Sequence, residues 1–309
     1  MTTGDDSPPG VSVVIPTHKR PELLRRAVVS VLSQTYEGDV EVVVVFDAEE
    51  PYDLGVEVQE GRTVVLTRNV RRRGLAGGRN SGIFMASHQL VAFLDDDDEW
   101  RADKLALQVP LMVAHPEMPL SGAGMSVVSP TGVTERWIDV NPVTLADLVR
   151  DRIPELNACG IMVRRDRALG DLGLVDESIP GSYGEDYDLL IRAARLHPIA
   201  VVPDPVVFVH WHGGSFFGAR WWVIIQALQY LLVKHPEFGT DPRGRARITG
   251  QIAFAYAALG KRREARRWAR NTLVHNPVEP RAVLALAVGM HLISADRVLA
   301  ELRQRGRGI

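Results

Sequence analysis

Four aspartates stand in a row, Asp95, Asp96, Asp97 and Asp98, between Phe93-Leu94 and Glu99-Trp100. Adjacent carboxylates repel one another, so the run needs compensating positive charge. A hard divalent cation with oxygen ligands is the natural candidate, and magnesium or manganese would also hold phosphates. A solvated acidic turn is the alternative. A second acidic segment runs from Gly184 through Glu185, Asp186 and Tyr187 to Asp188. Its carboxylates can cap a helix and complement the dipole. Alternatively, one of them can take the proton from an attacking hydroxyl. A third segment, GLAGGRNSG at residues 74–82, lets backbone approach an anion at a helix entry, and Arg79 adds a fixed positive charge. No Lys-Ser or Lys-Thr follows its glycines, so it is not a Walker loop, and its spacing is not that of a dinucleotide fingerprint. His210 and His212 flank Trp211 beside Gly213 and Gly214. Such a setting suits metal or phosphate contact as well as a structural histidine.

The surrounding pattern indicates what positions these groups. Residues 11–15 are a β-branched run closed by Pro16, which predicts a buried strand. Residues 21–34 carry Leu24, Ala27, Val28, Val31 and Leu32 at helical spacing, with Pro21 suited to the first turn. Strands are expected at 40–46, 63–66 and 90–94, and a helix at 82–89. Alternating strands and helices, with nearly continuous apolar strands, predict an α/β fold with a parallel sheet covered on both faces. Ligands bind beyond the carboxyl ends of such strands. Asp47 and the Asp95 cluster both fall at strand ends, so two segments point at the same edge. Beyond Pro110 the pattern mixes: a strand at 158–163, a helix at 186–196, and short strands at 200–202 and 206–209. From Trp221 onward it is mainly helical. Helices at 251–259 and 262–274, joined at Gly260, resemble one tetratricopeptide-type hairpin. No second copy follows, and a solenoid needs about three, so a helical cap is the simpler expectation.

The 309 residues carry a formal net charge of −2, unevenly spread. Residues 241–309 hold 14 Lys and Arg against 5 Asp and Glu, a local +9, while the rest carries −11. A basic tail on an acidic body suggests an anionic partner, or a solvated helix face. Cys159 is the only cysteine, so no disulfide forms within the chain. Residues 1–10 have neither the basic region nor the apolar core of a signal peptide. The longest apolar stretch, 221–233, is interrupted by Gln226 and Gln229 and is too short to span a bilayer. A cytoplasmic location is expected.

Taken in order, the residues VSVVIPT at 11–17, Asp47, 74–82, 93–100, 184–188 and His212 resemble the family 2 glycosyltransferases. The likeness covers roughly residues 11 to 215. It implies the GT-A form of the α/β fold, a Rossmann-like mostly parallel sheet flanked by helices, over residues 11–220. Residues 1–10 are then an expected disordered N-terminus and 221–309 a C-terminal helical extension. The resemblance also implies an inverting enzyme using a nucleotide diphosphate sugar, often a UDP-sugar, with Mn2+ or Mg2+. It assigns Pro16, Thr17 and Asp47 to the nucleobase pocket, and Asp95 and Asp96 to ribose or phosphate; Arg79, from the glycine-rich segment, is expected to bind the nucleotide sugar with them. Asp97 matches the metal ligand and His212 a late histidine that meets metal or diphosphate. Asp186 matches the catalytic base, with Glu185 as the alternative. The sequence departs from the family where the second strand ends in Phe46-Asp47-Ala48-Glu49 rather than paired aspartates, which leaves the nucleobase less defined. The residue before the Asp176-Glu177 pair is Val175, where the family has Phe.

Two other functions fit parts of the pattern. A sugar-phosphate nucleotidyltransferase would also need metal and glycines, and a non-catalytic nucleotide-sugar-binding module could carry a helical scaffold. The acceptor is a hydroxyl of unknown identity. No nucleic-acid partner is expected, and the basic tail suits a peripheral membrane or protein contact.

Overall fold

A computed structural model describes residues 7–130, 132–211 and 220–304. The chain opens with β1 (Val11–Thr17), α1 (Pro21–Leu32), β2 (Val40–Phe46), β3 (Arg62–Arg68), α2 (Leu75–Met85) and β4 (Leu90–Phe93). These strands pair in parallel in the order β3-β2-β1-β4. β1, β2 and β4 are buried along their whole length, which explains their unbroken apolar runs. Val11, Val13 and Ile15 share a core with Leu24, Ala27, Val28 and Val31 of α1. Side chains alternate along a strand, so Val14 and Pro16 face the other way, towards α2. A Cβ on Gly82 would lie 2.1 Å from Val14, and one on Gly78 would lie 2.9 Å from Pro16. Helices therefore cover both faces, and the glycines let α2 approach β1 closely.

That packing corrects the expectation of a helix at 82–89. α2 begins at Leu75 and ends at Met85, so Gly77, Gly78 and Gly82 are interior helical residues. Their low helix propensity hid the element.

The chain continues through β5 (Glu99–Trp100), α3 (Lys104–Ala114), β6 (Leu120–Ser129), β7 (Gly132–Arg136), α4 (Leu145–Arg150), β8 (Met162–Arg164), α5 (Arg165–Leu169), α6 (Glu185–Leu196) and β9 (Val201–His210). β8 runs antiparallel to β4 and β6, β9 parallel to β6, and β5 antiparallel to β9. The parallel half thus passes into a mixed half, in the order β3-β2-β1-β4-β8-β6-β9-β5. The strand expected at 158–163 starts instead as a 3-10 turn over Ala158–Gly160, because the Asn157 side chain accepts from the Cys159 N–H. The two short strands expected at 200–209 are one. Its Pro203-Asp204-Pro205 interruption is absorbed by register shifts beside Gly124. A Cβ there would lie 2.6 Å from the Pro203 carbonyl oxygen.

The chain divides into two compact units. The first takes the described residues of Met1–Thr144, Ile153–Glu177 and Leu189–Trp211, and holds the sheet. The second takes those of Leu145–Arg152, Ser178–Asp188 and His212–Ile309. It contains α7 (Trp221–Lys234), α8 (Pro242–Ala258), α9 (Arg262–His275), α10 (Pro280–Gly289) and α11 (Ala295–Gln304). Its core includes Ala253, Phe254, Ala257, Ala265, Ala269, Ala282, Ala285 and Val288. The alanines among them permit close helix approach. α8 starts at Pro242, well before the expected 251, capped by Asp241 accepting from the Gly244 N–H. Among the described residues no helix is long and apolar enough to cross a membrane.

Candidate active site

The carboxyl ends of β1, β2 and β4 bring the expected donor-binding residues of the first unit to one edge. Thr17 closes β1, and its hydroxyl donates to Asp96 Oδ2 at 2.8 Å. Pro16 is buried on the α2 side. Asp47 follows β2 directly, and its Oδ1 accepts from Asn69 Nδ2 at 2.8 Å while Oδ2 accepts from the Gly74 N–H at 3.0 Å. Asn69 Oδ1 in turn accepts from the Ser81 hydroxyl at 2.8 Å. One carboxylate therefore ties together the ends of β2 and β3 and the start of α2.

The aspartate run after β4 has its charge compensated by protein. Arg79, only 2% exposed, donates from Nη2 to Asp95 Oδ1 at 2.6 Å. Arg20 Nη1 lies 3.2 Å from Asp96 Oδ1 and 2.8 Å from Asp97 Oδ2. Burial pushes the Asp96 carboxyl up to about 6, against the hydrogen bond from Thr17 and the charge of Arg20. Asp98 is buried to the same degree. Burial, then the charges of Asp95 and Asp97, hold it well above the ordinary carboxylate range. Two arginines and one carboxyl driven towards its neutral form therefore answer the repulsion within the run. The run alone does not demand a metal.

Two donor sets for a cation can be compared. Asp95, Asp98 and Cys159 place ligand atoms within 4.8 Å of one another. However, the Cys159 thiol donates to Asp98 Oδ2 at 3.2 Å and accepts from the Asp95 N–H at 3.3 Å. Burial raises that thiol well above its usual range. Hydrogen bonding accounts for the trio, and a soft thiol is a poor ligand for Mg2+ or Mn2+. Asp95 and Asp97 keep side chains 28% and 30% exposed at the strand edge. Their hard oxygens fit such ions.

Asp186 and Glu185 belong to the second unit, at the start of α6. Arg152 Nη2 donates to Asp186 Oδ1 at 2.9 Å and Oδ2 at 3.1 Å. The Asp186 side chain is 10% exposed, and Oδ1 also accepts from the Tyr187 N–H at 2.8 Å. The Asp186 charge raises the Arg152 pKa. Glu185 is 5% exposed. Asp188 is fully buried, with Lys234 Nζ at 2.6 Å and His235 Nε2 at 2.9 Å. His210 lies in β9, its Nε2 2.7 Å from Glu99 Oε1. His212 lies outside the described residues.

Residues 12–166, half of the chain, match the family model for glycosyl transferase family 2. The chain belongs to that family. As a family 2 member it is a glycosyltransferase, which sets aside the nucleotidyltransferase and the non-catalytic module. It is 28% identical over 196 residues to the Escherichia coli UDP-Glc:alpha-D-GlcNAc-diphosphoundecaprenol beta-1,3-glucosyltransferase WfgD, covering 62% of this chain and 72% of WfgD. The structure of S. aureus TarS 1–349 with UDP-GlcNAc superposes with a TM-score of 0.60 at 16% identity, covering 96% of this chain and 92% of that one. The chain spans 55% of a longer TarS structure. The mannosyltransferase PcManGT from Pyrobaculum calidifontis, with GDP-Man and Mn2+, gives 0.54 at 17% identity, covering 95% of this chain and 85% of that one. The expected GT-A fold is borne out.

The glycosyltransferase's sequence hid several of the groups around these residues. Arg20 occupies the N-cap of α1 without capping it. An arginine where Ser, Thr, Asp or Asn is preferred was the available signal. Arg152 had none, lying 34 positions from Asp186. Cys159 was visible as the only cysteine, but nothing local paired it with Asp98. Asn80 in α2 exchanges hydrogen bonds with the Val175 backbone at 2.8 and 2.9 Å and donates to Glu177 at 2.7 Å. That part of the glycine-rich segment therefore docks the chain before α6.

Proposed function

We propose that this glycosyltransferase moves a sugar from a nucleotide diphosphate donor, a UDP-sugar, to the hydroxyl of a lipid-linked acceptor, with inversion at the anomeric carbon. The observation that carries the donor half is the gathering of Thr17, Asp47 and Asp95–Asp97 at one strand edge. Support for the nucleotide comes from TarS, whose solved complex holds UDP-GlcNAc. Support for the acceptor comes from WfgD, named for a diphosphoundecaprenol-linked sugar.

In this reading Asp47 and Thr17 receive the nucleoside, and Asp95 and Asp96 the ribose and phosphate side. Asp97, with Asp95 beside it, would hold Mg2+ or Mn2+, and His212 is retained as a further ligand. The ion supplies charge neutralisation for the leaving diphosphate. Asp186 accepts the acceptor proton. The acceptor oxygen bonds to the anomeric carbon as the carbon–oxygen bond to the diphosphate breaks, and nucleoside diphosphate departs. One displacement inverts the configuration without an enzyme nucleophile.

The test is incubation with a panel of nucleotide sugars and Mn2+, with and without a polyprenyl-diphosphate sugar. Slow release of nucleoside diphosphate, accelerated by the acceptor, is expected. Release from no donor in the panel would reject the reading.

A further inference from the structure

Six of the 14 Lys and Arg of residues 241–309 fall at 261–270, in or just before α9, and that helix has two distinct faces. Ala265, Ala269 and Thr272 of α9 are buried. Trp268 and Leu273 pack on the core shared with α8 and α10. The apolar stripe is thus consumed inside the protein. The outer face carries Arg262, Arg263, Arg266, Arg267 and Arg270, all exposed, with exposed Lys261 just before them. At about 100° per residue these arginines occupy a sector of roughly 140°. Glu264 is the only acidic residue on the helix. Among the described residues, none of the five guanidinium groups makes an ion pair or a hydrogen bond.

A face evolved only for solvation mixes both signs, because like charges at i,i+4 weaken a helix. α9 keeps three such pairs, 262–266, 263–267 and 266–270, with nothing acidic among them. The same sector ends in Val274, 76% exposed and one turn beyond Arg270. Val278, 82% exposed, follows in the turn before α10. An anionic surface would relieve the repulsion, and an interface with a shallow apolar layer would also receive the two valines. A bilayer bearing acidic lipids has both properties. Nucleic-acid phosphates have no use for the valines.

We propose that the outer face of α9 docks this protein on an anionic membrane, with the arginines on lipid headgroups and Val274 and Val278 entering the interface. The inference stands whether or not the acceptor is lipid-linked.

The test uses the full chain in flotation with phosphatidylcholine vesicles, with and without phosphatidylglycerol. Flotation is expected only with phosphatidylglycerol, and should fall as salt rises. Each arginine changed to glutamine, at Arg263, Arg266 or Arg267, should lower partitioning about fivefold. Val278→Ser, which removes apolar area without adding charge, should also lower it with every arginine in place, whereas binding to DNA, driven by charge alone, should not respond to that change. Unaltered nucleotide-sugar hydrolysis by the variants would show that they fold, and circular dichroism serves if hydrolysis itself is absent. No flotation at low salt would overturn the proposal. So would equal flotation of the arginine variants, or indifference to Val278→Ser.

Discussion

One nitrogen of Arg152, Nη2, reaches both carboxylate oxygens of Asp186, at 2.9 and 3.1 Å. The guanidinium also lies 5.8 Å from the Tyr187 ring. The proposed base is therefore held in one orientation by a group 34 residues upstream. Asp186→Asn preserves size but cannot accept a proton at neutral pH. We expect transfer to fall by about 10² to 10⁴ with donor affinity unchanged. Turnover and donor binding, measured separately, check this. Near-normal turnover would move the base to Glu185.

Arg152→Lys tests the orientation itself. The charge stays, but the rigid guanidinium beside the Tyr187 ring is replaced by an ammonium on a flexible stem. We expect kcat to fall about tenfold, with the KM for donor and the melting temperature nearly unchanged. A variant with full kcat would show that Asp186 needs no such support.

In the proposed site Arg20, which already pairs with Asp97, would be the rival of a divalent cation for that carboxylate. Arg20 is 40% exposed, so its ion pair is screened and weak, on the order of 0.5–1 kcal/mol. Arg20→Gln should therefore tighten Mn2+ binding in the absence of nucleotide by roughly two- to fivefold. Asp97→Ala should abolish the enhancement of nucleotide diphosphate binding by Mn2+. Calorimetry on both variants distinguishes the two effects, and unchanged metal-enhanced affinity in Asp97→Ala would remove Asp97 from the metal site.

Glu41 sits in β2 with almost no exposure, yet it is not an unpaired charge. It accepts from the Ser12 hydroxyl at 2.6 Å, and from the Ser87 N–H and hydroxyl at 2.9 Å each. Burial pushes its carboxyl up, but the bonds from Ser12 and Ser87 outweigh that and leave it below its ordinary value of 4.5. A lowered folded-state pKa stabilises above the unfolded value, and that contribution is lost as pH falls through the folded one. Glu41→Gln should lower stability by about 1–2 kcal/mol at pH 7. In thermal melts across pH the gap should close below pH 4.5. A gap of constant size would show that the charge is irrelevant.

The elements read most directly were those whose burial is uniform. β2 falls on the expected residues 40–46, because a run of valines has no other way to be buried in a parallel sheet. The aspartates at strand ends were legible for the same reason, since strand direction alone puts Asp47 and Asp95 at one edge. What escaped was anything set by partners remote in sequence. Nothing near Asp96 announces that Arg20, 76 positions away, balances it. The repulsion in the aspartate run is legible from the sequence, but the share of compensating charge that Arg20 and Arg79 supply is not. β9 looked like two strands because the prolines at 203 and 205 carry no N–H, and only its pairing with β6 shows that the sheet tolerates them.

α2 gives a final case where propensity and packing oppose each other in sign. Gly82 lies inside the helix, where replacing glycine by alanine ordinarily stabilises by about 1 kcal/mol. Here the added Cβ would sit 2.1 Å from Val14 Cγ1 and 2.6 Å from Cγ2, on a strand whose backbone is pinned by β2 and β4. Val14 is itself fully buried, so the methyl has nowhere to retreat. Overpacking of this kind costs about 1–3 kcal/mol. We therefore expect Gly82→Ala to lower the denaturation midpoint. Trimming the strand in turn should relieve the clash: in the double variant with Val14→Ala, the alanine at 82 should become neutral or stabilising relative to Val14→Ala alone. Additive effects in that cycle would mean the two residues do not meet, and the close approach of α2 to β1 would have to be redrawn.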